Sequence, residues 1–176
     1  MTEHLESLTE QDQSSASDIQ SLYDPEGELY LRFYLSSNEE FALPAIAFRE
    51  VMQQNPDRII PIPNTSPLLL GTMNLRGQVI WVADLGQFLG DKGILKTDRN
   101  EIPVIAVEDQ ETILGLAVDR LGGMEWLDAE QLKAVTNASD QISPYVLGAW
   151  HREGNSQNPL CLLDYLAILR SARWAS

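Results

Sequence analysis

Three aspartates, Asp84, Asp119 and Asp164, each follow an apolar stretch, a position from which a carboxylate at a strand end can act as general acid or base. An aspartate there can equally form a turn, or accept hydrogen bonds from the free N–H groups of a helix's first turn. Cap or turn is the reading expected for each, and a small carboxylate-dependent enzyme is the alternative. Convergence on one pocket separates the two, because acid–base chemistry needs its carboxylates around a shared substrate. Other chemistry is sparse. The histidines are His4 and His151, with no metal-ligand spacing between them. Ser143 and Asp140 lie near His151 without forming a triad motif. Cys161, the one cysteine, stands in an apolar run as a small buried residue. A single cysteine forms no internal disulfide and no thiolate metal cluster. Neither a phosphate-binding P-loop nor a dinucleotide fingerprint is present. We therefore assign no catalytic residue, no metal ligand and no cofactor, and expect a protein that is not an enzyme.

One motif suits recognition better than catalysis. Gly71-Thr72-Met73-Asn74-Leu75-Arg76-Gly77 sets two glycines around an Asn-Leu-Arg core, directly before an apolar stretch. Glycine admits positive φ and close backbone approach. An arginine held between a buried Leu75 and Gly77 would present its planar fork outward. A tight turn carrying an incidental arginine is the competing reading, and the residues alone leave both open.

The elements that must position these residues are mostly strands. Leu29, Leu31, Phe33 and Leu35 alternate with Glu28, Tyr30, Arg32 and Tyr34, a period of two that turns one face to a core. Residues 78–83, 102–107 and 113–118 are further strands, the last two forming a hairpin across Asp109 and Gln110. Ile60-Pro61-Ile62-Pro63 is extended by its prolines. Short helices are expected after Asp84 and Asp164, with a capping box at Asp128 and Gln131. The pattern predicts an all-β protein of the small-barrel or sandwich kind.

Part of the pattern occurs twice. Pro67-Leu68-Leu69-Leu70-Gly71 matches Pro144-Tyr145-Val146-Leu147-Gly148, and the stretch around Asp84 matches that around Asp164. A Pro-initiated turn ending at Gly71 or Gly148, a strand, and an Asp-capped helix make up each copy, with a polar insertion near 153–158 in the second. Two similar subdomains are the expected result, and a junction between them makes a groove. The four tryptophans, Trp81, Trp126, Trp150 and Trp174, form no stripe and are assigned to packing or protein contact.

Charge divides the chain. It has 176 residues and a formal net charge of −14. Residues 1–27 hold seven acidic side chains and no Lys or Arg, and are rich in Ser and Gln. Such a segment buries too little apolar surface to offset its ordering entropy, so 1–27 is expected as a largely disordered acidic tail and 28–176 as the folded domain. Ile19, Leu22 and Tyr23 in it could serve a partner. The acidic balance argues against nucleic acid and against anionic membrane surfaces. No apolar run is long enough to span a bilayer, and the start lacks a signal peptide's basic and apolar regions, so a soluble cytoplasmic protein is expected.

The run from Ile60 to Pro63, through Pro67 to Gly71 and Asn74 to Gly77, to a strand ending at Asp84-Leu85, resembles the CheW family of bacterial chemotaxis coupling proteins. The resemblance extends back to Phe41-Ala42-Leu43-Pro44 and Phe48-Arg49-Glu50-Val51. It extends forward to Gly115-Leu116-Ala117-Val118-Asp119, the stretch from Ile142 to Gly148, and Leu162-Leu163-Asp164. It implies two pseudo-symmetric five-stranded SH3-like β-barrel subdomains sharing a hydrophobic core. It also implies an adaptor that couples the cytoplasmic hairpin tip of a chemoreceptor to the regulatory domain of a CheA-type histidine kinase, with no direct membrane insertion. By position, Phe48, Glu50, Val51, Asn74, Arg76 and Gly77 correspond to the receptor-binding groove. The chain carries Trp81 where the family usually has Pro, and Ala83 where a larger aliphatic is common. A coupling module for a pilus-based or other non-flagellar pathway is the alternative within the family.

Overall fold

Strands with apolar residues on both faces need more than one core, and the described residues form three. The computed structural model describes residues 27–152 and 158–175. The expectations of a disordered tail and of a polar insertion fall almost entirely on residues 1–26 and 153–157, outside the described residues. In chain order the elements are β1 (Glu28–Tyr34), β2 (Glu40–Pro44), β3 (Phe48–Gln54), β4 (Leu69–Leu75), β5 (Gln78–Asp84) and α1 (Leu85–Leu89). There follow β6 (Ile102–Asp109), β7 (Thr112–Ala117), β8 (Arg120–Leu127), β9 (Val146–Trp150), β10 (Leu160–Leu163) and α2 (Tyr165–Leu169).

Two five-stranded sheets result, with strand orders β8-β1-β2-β10-β9 and β3-β6-β7-β5-β4. They are built alike. The hairpin β1–β2 of the first corresponds to β6–β7 of the second, β9–β10 to β4–β5, and each sheet has one parallel pair, β10 with β2 and β5 with β7. Each sheet also takes its last strand from the other half of the chain. After β1–β2 the chain crosses to supply β3 to the second sheet, and after β6–β7 it returns β8 to the first. This exchange interlocks the two barrels, while the repeat in the sequence corresponds to the equivalent units β4–β5–α1 and β9–β10–α2.

The core follows the same logic. Ile105 and Val107 of β6 join Leu31, Phe33, Phe41, Leu43, Phe88 and Leu116 in a central cluster between the sheets. Ile102, Val104 and Ala106, alternating with them, fill the interior of the second barrel with Met73, Ile80 and Val82. Tyr30, Ala42, Trp150, Leu160 and Leu162 fill the first. The alternation seen in β1 therefore does not put one face in water. Tyr30, expected outside, is 2% exposed, because the barrel interior claims the second face.

Several local expectations change. Gly71 and Gly148 lie inside β4 and β9 rather than ending turns. At Gly71 (φ 148°) the ladder bulges, and a Cβ would come 2.2 Å from the Ile60 carbonyl oxygen. At Gly148 a Cβ would meet the Leu132 side chain at 2.7 Å. Close approach, not turning, selects glycine at both positions. The capping box at Asp128 does not form. Its carboxylate accepts from the Glu130 N–H in a single 3-10 turn, and Gln131 takes no part through its side chain. The two main caps agree with expectation, as Asp84 Oδ1 accepts from Gln87 N–H and Asp164 Oδ1 from Ala167 N–H, each at 3.1 Å.

Candidate protein-interaction site

The glycine-flanked motif folds as the end of β4 and its hairpin turn into β5. Asn74 Oδ1 accepts from the Gly77 N–H at 2.7 Å and closes the turn, which holds Arg76 at φ 49° and Gly77 at φ 86°. Asparagine is suited to this, since its short side chain can satisfy the backbone two or three residues on. The bend aims Arg76 across the sheet's open seam. Its Nε donates to Glu50 Oε2 at 2.8 Å, and the arginine side chain stays 76% exposed. Because the pair uses Nε, the terminal amines of the guanidinium make no hydrogen bond among the described residues and face solvent. Four of the six expected contact residues, Glu50, Asn74, Arg76 and Gly77, thus form one hydrogen-bonded unit.

Phe48 and Val51 belong to the same strand but another environment. The register of β3 against β6 shifts between Phe48 and Glu50, pairing Phe48 with Val107 and Val51 with Ile105. Both side chains are half-buried against the central cluster, while Glu50 reaches from the opposite face of β3 to the seam. The apolar and the polar contacts therefore sit on two sides of one edge strand. A cavity of about 710 Å³ between β2, β10 and α1, lined by Leu35, Phe41, Leu89 and Cys161, contains none of the six.

Sequence reasoning missed an apolar row beside the motif. Ile60 bridges to Thr72, and Thr72 pairs with Trp81 across the β4–β5 ladder. Val79, two pairs nearer the turn on the same face, is 69% exposed, and Ile60 and Trp81 are also exposed. The signal was present: Val79 and Trp81 occupy the outward positions of β5, where a half-solvated strand normally carries polar residues.

The three aspartates do not converge. Asp84 and Asp164 cap α1 and α2, and Asp119 pairs with Arg99 and Arg120, each at 3.6 Å. Asp84 and Asp119 do line one crevice with Asp91, but its volume is only about 10 Å³ and Asp164 is elsewhere. Asp84's carboxyl is raised above its ordinary value, chiefly by burial, with the Asp91 charge adding to it and the Gln87 and Gly86 N–H groups opposing. Cys161, expected buried, is half-buried on the wall of the cavity of about 710 Å³, because that side of β10 faces the cavity; its thiol is raised by burial and by the Glu39 charge, which opposes a nucleophile's thiolate. Among the described residues no group of His, Cys, Asp and Glu could hold a metal ion. Trp150 is buried with its indole donating to the Asp128 carbonyl, and Trp174 stacks on Phe88.

Known proteins share this fold. The family model described as the CheW-like domain matches residues 29–173. Chemotaxis protein CheW of Klebsiella aerogenes is 29% identical over 154 residues, covering 85% of this chain and 86% of that protein. Protein PilI of Pseudomonas aeruginosa is 30% identical over 117 residues, 64% of this chain and 62% of that one. The crystal structure of scaffolding protein TtCheW from Thermoanaerobacter tengcongensis shares the fold, with a TM-score of 0.65, 23% identity, and coverage of 78% of this chain and 89% of that one. With the match running from β1 to the C-terminal turn and through both barrels, the chain belongs to the CheW-like domain family.

Proposed function

We propose that this protein is a non-enzymatic signalling adaptor, coupling chemoreceptors to a CheA-type histidine kinase in bacterial chemotaxis. The observation that carries the reading is the family match over residues 29–173, on a fold whose carboxylates serve as caps and ion pairs. The working unit is 28–176, with the acidic segment ahead of it as a separate part. A cytoplasmic location follows from these partners, and no described helix is long and apolar enough to cross a membrane.

The receptor-facing surface is the seam of the second barrel: Arg76 and Glu50 as oriented polar contacts, Asn74 and Gly77 as the turn that holds them, Phe48 and Val51 as the apolar edge. An apolar helical hairpin tip would lie along β3, with a polar group reaching the free amines of Arg76. Holding receptor and kinase in fixed geometry lets a change in one shift the population of the other's states.

Calorimetric titration against the regulatory domain of each chemotaxis-type kinase encoded in the same genome tests the reading. Micromolar or tighter binding to one kinase names the pathway. Absence of binding to all of them, by protein shown to be folded, refutes it. A pilus-based or other non-flagellar pathway is the second reading, favoured by the likeness to Protein PilI. It predicts that the kinase bound is the one encoded beside pilus genes.

A further inference from the structure

At the far end of the first barrel the outer wall opens into a cavity of about 620 Å³. Its apolar part is Trp126 of β8, 44% exposed, with Leu127 beside it, while Trp150 borders the cavity from the core at 4% exposure. Its rim carries Lys133, His151 and Arg152, opposed by the Asp128 carboxylate. Arg152 is committed to Glu40 at 3.3 Å and Glu125 at 2.6 Å, and Asp128 to the Glu130 N–H. Lys133 is exposed and has no carboxylate partner among the described residues. An exposed indole beside an unpaired ammonium, over a cavity of this size, suits a peptide that brings acidic and apolar side chains together.

Such a peptide is attached at the cavity's wall. Glu28, the first residue of β1, pairs with Leu127 of β8. Gly27 packs so closely there that a Cβ would lie 2.4 Å from the Leu127 carbonyl oxygen. Gly27, to which residues 1–26 are joined, therefore sits beside Leu127 and Asp128. Residues 1–26 contain seven acidic side chains, no Lys or Arg, and the apolar group Ile19, Leu22 and Tyr23. At no more than about 3.5 Å per residue, the tether limits Tyr23 to roughly 14 Å from Gly27 and Ile19 to roughly 28 Å, spans within which a cavity bordered by Leu127 is accessible. Tethering so near the site also gives the segment an effective concentration on the order of millimolar, which makes modest contacts sufficient.

We propose that the chain's own acidic N-terminal segment docks in the cavity beside Trp126, with Leu22 and Tyr23 against the Trp126 indole and its carboxylates at Lys133. The segment then acts as an intramolecular cover for this face of the first barrel, and any partner that uses the face must displace it. The proposal is independent of the receptor surface, which lies on the other barrel.

Paramagnetic relaxation in the full chain tests it. A nitroxide placed by Ser17→Cys, in a Cys161→Ser background, should broaden the amide signals of Trp126, Lys133 and His151. Lys133→Glu, and separately Tyr23→Ser, should relieve that broadening several-fold. Broadening that neither substitution changes would reflect the tether alone and would overturn the proposal, as would broadening centred on another surface. Should the Cys161→Ser chain fold poorly, the Trp126 indole N–H signal of the otherwise unaltered chain supplies the readout. It should shift on Leu22→Ser/Tyr23→Ser, and an unmoved signal refutes docking.

Discussion

Arg76 Nε stands 2.8 Å from Glu50 Oε2, and the pair joins the two edge strands of one sheet, β3 and the β4 hairpin. Neither strand is the other's ladder partner, so this contact spans the seam by side chains rather than backbone. An ion pair as exposed as this contributes little to folding, about 0–1 kcal/mol. Its consequence is geometric, because it fixes the guanidinium while leaving the terminal amines for a partner.

Arg76→Ala is accordingly expected to leave thermal stability nearly unchanged and to weaken receptor binding about tenfold, the ~1–2 kcal/mol of an interface hot spot. Glu50→Gln should weaken it less, since the arginine remains but loses its anchor. Calorimetry on the two single variants and the double variant checks this. Fully additive losses would mean that the pair does not act as a unit.

Asp84 offers a prediction in pH. Its carboxyl is raised, first by burial and then by Asp91, so the folded chain holds the proton more tightly than the unfolded chain. Stability contributed by this group is therefore greatest at acid pH and falls as pH rises through its unfolded value toward the folded one. Asp84→Asn keeps an acceptor for the Gln87 N–H and removes the buried charge. It should equal or exceed the parent in stability at neutral pH and lose any advantage below about pH 4, near the unfolded carboxylate value. Asp84→Ala should cost about 1 kcal/mol at neutral pH by losing the cap. Denaturant melts at both pH values decide it, and an asparagine variant as weak as the alanine one would contradict the argument.

Tyr30 titrates at the other extreme. Burial, then the Glu28 charge and the hydrogen bond from its hydroxyl to Glu28 Oε2 at 3.3 Å, pushes it up to about 12. The folded state thus favours the neutral phenol, and stability falls as pH rises past the unfolded tyrosine value of about 10. Tyr30→Phe should flatten that alkaline loss. Ultraviolet titration should show one fewer tyrosine ionising late than in the parent.

Much of this fold was legible because its units repeat. The Asp84 and Asp164 caps, the strands 78–83, 102–107 and 113–118, and the turn at Arg76 could all be read from local chemistry. Strand β8 could not, since Gly122 and Gly123 in Arg120–Leu127 look like a turn, and Gly123 indeed takes φ 89° within the strand. Nor was the second buried face of β1 legible, because alternation reports one core and says nothing of a barrel interior behind it. At the candidate site Asn74, Arg76 and Gly77 stood in the motif, whereas Glu50, 26 residues upstream of Arg76, came only with the resemblance. The split of Phe48 and Val51 from Glu50 depends on a register shift that only pairing with β6 creates.

The C-terminal turn carries the last prediction. Trp174 stacks on Phe88 of α1 with ring centres 4.3 Å apart and planes 14° apart, while its indole donates to the Ile168 carbonyl of α2 at 2.7 Å. The Arg173 guanidinium lies 4.5 Å from the centre of the Phe88 ring. This turn therefore links the two equivalent helices, one from each half of the repeat, and covers a phenylalanine of the central cluster. Full truncation of a buried tryptophan costs about 3–5 kcal/mol, and Trp174 is only half-buried, so Trp174→Ala should cost about 2 kcal/mol. For a domain of this size that lowers the melting temperature by roughly 4–8 °C. Trp174→Phe keeps the stack and loses the hydrogen bond, so it should recover more than half of the deficit. Binding by the folded fraction should be unchanged in both, because the turn lies on α1 and α2 rather than at the β3–β4 seam. A Trp174→Ala chain that melts normally would show that the stack adds nothing. One that melts normally but loses receptor or kinase binding would make this turn part of the interaction surface.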